Sequence, residues 1–65
     1  MSVAKIIELT ATSSESFEEA CRQGIEKAGE TIRGITGAWV DGQEVVLEGG
    51  EVAFHVHLKI TFVLE

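Results

Sequence analysis

Two histidines lie two residues apart near the C-terminus, and their spacing is the first pattern in the chain that could support chemistry. His55 and His57 alternate with apolar residues, so in a β-strand both imidazoles lie on one face, with Cα atoms about 7 Å apart. Imidazole nitrogens bind metals and exchange hydrogen bonds with organic ligands. Two ligands in one chain are a weak metal motif, so three roles stay open: metal ligand, contact to an organic ligand, or plain interface or solvent-facing residue.

The single tryptophan is the other candidate for ligand contact. Trp39 is either a ring that stacks on a planar ligand or an aromatic residue of the core or of an interface. The register of its strand decides whether its side chain enters a subunit interface or the helix-facing core.

The sequence predicts no enzyme. No nucleophile and base can be paired from their spacing, and Gly49-Gly50 lies between two strand-like segments rather than before a helix, where a phosphate-binding loop would be. Cys21 lies in a helical apolar stripe and is interpreted as a small buried hydrophobic residue.

Composition limits the class of protein. A chain of 65 residues, taken as one domain over 1–65, buries only about 60% of its unfolded surface, and its single cysteine excludes an internal disulfide, so association is the expected source of stability. Eleven acidic and five dispersed basic residues give a net charge of −6, which argues against nucleic acid. No apolar segment reaches the roughly 20 residues of a membrane span and no secretion signal is visible, so we expect a cytoplasmic protein without a membrane partner.

The C-terminal third predicts a β-hairpin. Residues 52–64 place an apolar residue at every second position, which is typical of a half-buried strand. Gly49-Gly50 favours a two-residue turn because both positions of such a turn take positive φ. The preceding strand is expected over about Ala38–Leu47.

This turn also predicts a register for the hairpin. It places Glu44 opposite His55, Gly42 opposite His57 and Val45 opposite Phe54, with Val45, Leu47 and Trp39 on the apolar face. A bulge at Gly42, beside Asp41, would turn Trp39 to the other face.

The N-terminal half predicts a strand and a helix. Val3–Thr10 is rich in β-branched residues, and a helical apolar stripe follows from about Ser14 to Arg33. Thr12 with Glu15 or Ser16 with Glu19 satisfies the capping-box spacing, and Gly34 is the expected left-handed C-cap. Gly24 lies on the apolar stripe and is interpreted as a packing glycine.

The whole chain resembles the dodecin family. The resemblance rests on Thr-Ser-x-x-Ser-Phe at 12–17, which opens the helix, and on the closing strand Val-His-Leu-Lys-Ile-Thr-Phe-Val-Leu at 56–64. It implies an α+β fold of β-α-β-β order, in which a three-stranded antiparallel sheet wraps one helix. It also implies that twelve copies assemble into a hollow homododecamer.

The resemblance implies a non-catalytic protein that stores or sequesters a flavin, and it points to four residues as the candidate flavin site. Flavin-binding members stack the ring between tryptophans of neighbouring subunits, and that position is Gly37 here, with Trp39 two residues further on. The glutamine that hydrogen-bonds the ring is replaced by His55, and a basic contact to the flavin phosphate by Glu44. The resemblance therefore implies riboflavin more readily than FMN.

The alternative is a shell without the usual flavin stacking. Some members lack the stacking tryptophan and are regarded as calcium-associated, and this chain is similar to them in its second strand. Twelve acidic subunits would attract cations, because symmetry brings copies of one carboxylate together. A calcium-associated shell or a purely structural assembly is the second hypothesis.

Overall fold

The computed structural model describes residues 2–64 and contains three strands and one helix in the order β-α-β-β. The elements are β1 (Val3–Ser13), α1 (Phe17–Gly29), β2 (Ile35–Glu48) and β3 (Glu51–Leu64). Both strand pairs are antiparallel, and the sheet order is β1-β3-β2. The alternating C-terminal strand is therefore the central one, and the predicted α+β fold is confirmed.

The core lies between the helix and the centre of β3. Val56, Leu58 and Ile60, which alternate along β3, are almost completely buried, as the period of two requires for a strand with one covered face. From the helix, Ala20 belongs to the same buried cluster, and Ala28 is buried as well. At one end of this core the rings of Phe17 and Phe54 meet edge to face, with centroids 5.0 Å apart.

Gly24 allows the helix to approach the sheet closely, as the sequence predicts. A Cβ at this position would lie 2.9 Å from Leu58 Cδ1 and 3.0 Å from Ala11 Cβ. The missing side chain therefore sets the distance between α1 and the strands beneath it.

The helix begins later than predicted, because β1 continues to Ser13 rather than ending at Thr10. Ser16, not Thr12, is the N-cap: its Oγ accepts a hydrogen bond from the backbone N–H of Glu19 at 3.0 Å. Ser13 is buried and its Oγ accepts from the N–H of Glu15 at 3.0 Å. The earlier polar residues thus end the strand and shape the turn, and the predicted start at Ser14 is wrong by three residues.

The predicted end of the helix at Arg33 is also wrong. The helix ends at Gly29, and the backbone N–H groups of Thr31 and Ile32 bond to the carbonyl of Ala28 in a closing turn. Gly34 does take the left-handed conformation, with φ of 78°, but as the residue before β2 rather than as the helix cap. Its carbonyl accepts from the N–H of Val63 at 3.0 Å, which ties the turn to the central strand.

The hairpin has the predicted turn and register. Gly49 and Gly50 have φ of 57° and 82°, and β2 and β3 pair with Glu44 opposite His55 and Gly42 opposite His57. The register shifts between Val40 and Gly42, so Asp41 is the extra residue of a β-bulge. Of the two predicted arrangements, the structure has the one with the bulge.

The apolar face of β2 remains largely uncovered in a single chain. The helix packs mainly against β1 and β3 and touches β2 at few points, leaving a groove of about 530 Å³ beside the half-buried Cys21. Val45 and Leu47 lie on the helix face as predicted, yet Leu47 is 74% exposed. Within residues 2–64, no helix is long and apolar enough to span a membrane.

Candidate functional site

The sheet face opposite the helix, called the outer face below, carries most of the residues suited to ligand chemistry. Strand alternation and the pairing register place there the side chains of Ile6, Glu8, Thr10 and Thr12 from β1, of His55, His57, Lys59 and Thr61 from β3, and of Trp39 and Glu44 from β2, together with Gly37 and Gly42. The central strand thus presents two imidazoles and an ammonium group between two flanking strands.

The bulge at Asp41 decides where the tryptophan points. Beyond the bulge, Val40 pairs with Leu58 and Trp39 pairs with Lys59, so Trp39 lies on the outer face. If Asp41 instead paired regularly opposite Leu58, Trp39 would fall opposite Ile60 and point toward the helix. Its side chain is 70% exposed, which makes it an open aromatic surface rather than a core residue of this chain.

Gly37 lies on the same face as Trp39, two residues away, as the sequence predicts. It pairs with Thr61, and a Cβ built on it would have no described heavy atom within 4 Å. The position that the family resemblance assigns to a stacking tryptophan is therefore open space on the face that carries Trp39.

Three acidic residues of β2 face the three basic residues of β3 across the outer face. The first pair joins Glu48 Oε1 to His55 Nε2 at 3.6 Å. The second joins Glu44 Oε1 to His57 Nε2 at 3.8 Å, and the third joins Asp41 Oδ1 to Lys59 Nζ at 3.7 Å. We call this set the cross-strand ladder. Its distances exceed that of a hydrogen bond, so the pairs are contacts of charge and dipole.

The two histidines differ in their surroundings. His57 is tied to β1, because its Nδ1 lies 2.9 Å from the hydroxyl of Thr10, whereas His55 Nε2 is buried and has no hydrogen-bond partner among residues 2–64. A buried polar nitrogen without a hydrogen-bond partner lowers the stability of a folded protein. His55 is therefore a position where a ligand or a second chain would add a missing contact.

The predicted site residues are brought together in part. Trp39, Gly37, His55 and Glu44 all belong to the outer face, but Glu44, although opposite His55 in register, extends its carboxylate toward His57. Among residues 2–64 no three His, Cys, Asp or Glu side chains are close enough to hold a metal ion. A single chain thus presents pairs of potential ligands, not a closed metal centre.

Sequence reasoning missed Thr10, Asp41 and Lys59. Thr10 reaches His57 only because β1 and β3 pair. No short turn joins these two strands, so the sequence gives no local signal for their register. Asp41 was noted as a neighbour of the bulge, while its pairing with Lys59 depends on the bulge itself. The alternation of Lys59 with the two histidines was the available signal for its place on this face.

This small β-α-β-β domain buries one sheet face against a helix. Its other face displays an exposed aromatic ring and a charged ladder, which is typical of the class of small binding proteins. The particular family is clear from comparison: a model of the Dodecin family matches residues 3–65, and the chain belongs to the dodecin family. Dodecins are small binding or storage proteins, and membership implies a homo-oligomeric assembly.

Known relatives agree in sequence and in structure. The chain is 29% identical over 63 residues to the calcium dodecin of Mycobacterium tuberculosis (strain ATCC 25618 / H37Rv), covering 95% of this chain and 89% of that protein. The crystal structure of an Arg-to-Ala mutant of Thermus thermophilus dodecin is similar with a TM-score of 0.91 and 29% identity, covering 100% of this chain and 98% of that one. The crystal structure of the M. tuberculosis calcium dodecin, described as having a novel calcium-binding site, has a TM-score of 0.88 and 25% identity, covering 97% and 91%.

Proposed function

We propose that this protein is a non-catalytic binding and storage protein, which forms a hollow homododecamer and holds a planar, flavin-type ligand on the outer face. The observation that carries the proposal is the ring of Trp39, 70% exposed on the face opposite the core. An indole offers a large rigid surface for stacking at low entropic cost, and a planar conjugated ring is the ligand that matches it. The open position at Gly37 leaves room beside the indole for such a ligand.

Polar residues of the same face would set the chemistry of the ligand. His55 Nε2, buried and unpaired among the described residues, is the group that we assign to hydrogen-bond the polar edge of the ligand. Glu44 adds negative charge on the same face, which disfavours a phosphate. The preferred ligand is therefore an uncharged flavin such as riboflavin, with FMN binding more weakly.

Assembly completes this site and also stabilises the fold. Among residues 2–64 of one chain, the exposed large apolar side chains are Val3, Ile6, Trp39, Val40, Val45, Leu47, Val52 and Leu64. The chain is elongated, with extents of 49 × 20 × 15 Å, and contiguous exposed apolar surface on a small domain favours contacts between chains. Contacts between copies would cover it and bring a second Trp39 to the free side of a stacked ligand.

The test is a fluorescence titration of the assembled protein with riboflavin and FMN. We expect quenching of flavin fluorescence at micromolar protein, tighter binding of riboflavin than of FMN, and loss of quenching in Trp39→Ala. Leu47→Ala, which shortens another exposed apolar side chain of β2 on the opposite face, is the matched control and should still quench. Absence of quenching by the unmodified protein would reject flavin storage.

Calcium storage is the second candidate, and the acidic side of the outer face favours it. A cavity of about 250 Å³ on this face is lined by Glu8, Thr10 and Asp41, which carry the hard oxygen atoms that Ca²⁺ prefers. The similarity to a calcium dodecin supports the same candidate. Calorimetric titration with Ca²⁺ should give heat that is lost in Glu8→Gln and Asp41→Asn, and heat unchanged by both would exclude this site.

A further inference from the structure

The imidazole of His57 is held in one orientation by a residue from another strand. Its Nδ1 lies 2.9 Å from Thr10 Oγ1, while its Nε2 faces Glu44 Oε1 at 3.8 Å, too far for a hydrogen bond. In the tautomer that carries its proton on Nδ1, the imidazole donates to the threonine hydroxyl and the lone pair of Nε2 is free to bind a metal. His57 is 44% exposed, so this lone pair is accessible from solution.

The gap between His57 and Glu44 has the size that a metal ion needs. Zinc binds imidazole nitrogen and carboxylate oxygen at about 2.0–2.2 Å, so an ion between two atoms at tetrahedral geometry holds them roughly 3.4 Å apart. The observed 3.8 Å needs a movement of about 0.4 Å by an exposed carboxylate to meet that value. A hydrogen bond to the other ring nitrogen is also the usual support of a metal-bound histidine.

The surroundings favour a cation at this point. His57 lines the outer-face cavity of about 250 Å³ together with Glu8 and Asp41, whose carboxylates add negative potential. Lys59 is the nearby opposing charge, and its ammonium lies 3.7 Å from Asp41. That pairing leaves Glu44 as the carboxylate directed at the imidazole.

We infer that His57 and Glu44 form half of a site for a divalent transition metal of the zinc class, and that the same pair from a second copy of this chain completes it. Imidazole with carboxylate selects zinc-class ions over calcium, which prefers oxygen donors alone. Each chain supplies two ligands, and residues 2–64 contain no group of three, so closure takes two imidazoles and two carboxylates at a contact between copies. The site rests on homo-oligomeric assembly and is independent of any flavin.

The test is a titration of the assembled, metal-free protein with Zn²⁺ by calorimetry and with Co²⁺ by visible absorption. We expect one ion per two chains and the absorption bands of tetrahedral Co²⁺. His57→Gln and Glu44→Gln should each abolish binding, and Thr10→Val should weaken it by about tenfold or more, because the ring loses its supporting hydrogen bond. His55→Gln removes the neighbouring imidazole on the same face and is the matched control that should bind normally.

Light scattering on every variant establishes that the oligomer is intact, so a loss of binding reports the site and not the fold. One ion per chain, unchanged affinity in His57→Gln, or equal losses in His55→Gln and His57→Gln would each overturn the inference. Failure of the flavin titration leaves these results unaffected, since no flavin is present in them.

Discussion

Gly24 of the helix lies directly over Leu58 of the central strand, so closely that a Cβ at position 24 would be 2.9 Å from Leu58 Cδ1. The same Cβ would be 3.0 Å from Ala11 Cβ on β1, which cannot rotate away because it is fixed to the strand backbone. The glycine therefore costs the helix up to about 1 kcal/mol in propensity and gains the close packing of α1 on two strands.

Gly24→Ala should lower the stability of the protein. The gain in helix propensity is about 1 kcal/mol, while forcing a methyl group into this packed contact costs about 1–3 kcal/mol, so we expect a net loss of about 1 kcal/mol. Thermal unfolding followed by circular dichroism should show a lower Tm. All variants must be compared at one protein concentration, because the Tm of an oligomer depends on it.

Gly29→Ala is the control for the helix-propensity part of that argument. Gly29 is the last residue of the same helix, and a Cβ there would have no described heavy atom within 4 Å. This variant should keep or raise the Tm, and its free energy of unfolding should rise by at most about 1 kcal/mol. Equal Tm changes in the two variants would show that the contact with Leu58 does not limit the packing.

The Ser16 cap should contribute more to the stability of the protein than the other serines before the helix. Ser16 Oγ accepts from the N–H of Glu19 at 3.0 Å, satisfying one of the free donors of the first turn. Ser16→Ala should therefore cost about 1 kcal/mol. Ser14→Ala, an exposed serine two residues earlier, should leave the Tm unchanged in the same measurement; a larger effect at Ser14 would contradict the assignment of the cap.

Elements and hairpin register could be predicted because their causes are local. The alternation of residues 52–64 and the positive φ of Gly49 and Gly50 are properties of short segments, and they correctly placed Glu44 opposite His55. The predicted helix start was wrong because several serines and threonines compete as caps, and pairing of β1 with β3 draws Thr12 and Ser13 into the strand. Contacts across strands that are distant in sequence, such as that of Thr10 with His57, have no local signal.

The pairing of Trp39 with Lys59 is testable by deleting the extra residue of the bulge. Removing Asp41 leaves Val40 opposite Leu58 and Trp39 opposite Lys59 in a regular strand, so the indole should remain on the outer face. A crystal structure of the variant would show the face of the indole directly. Asp41→Ala, which keeps the bulge and loses only the contact with Lys59, is the control and should leave Trp39 on the outer face.

If Trp39 turns toward the helix after the deletion, the pairing of β2 with β3 must have slipped by one residue. The second irregularity, between Ile35 and Gly37, is the place where the strand could absorb that slip. That outcome would mean that the exposure of Trp39 requires the bulge itself and not only a position opposite Lys59.

Gly37→Trp should strengthen the proposed flavin binding, because it puts an indole at the position to which the family resemblance assigns the stacking tryptophan. Gly37 faces outward opposite Thr61 with open space around it, and its backbone is not in the left-handed region, so the larger side chain is accommodated. An aromatic pair contributes about 0.5–1.5 kcal/mol beyond its buried area, which corresponds to a roughly two- to tenfold lower Kd. Gly37→Leu adds apolar surface without a conjugated ring, so in a riboflavin fluorescence titration a leucine variant as tight as the tryptophan variant would show that burial, not stacking, limits the affinity.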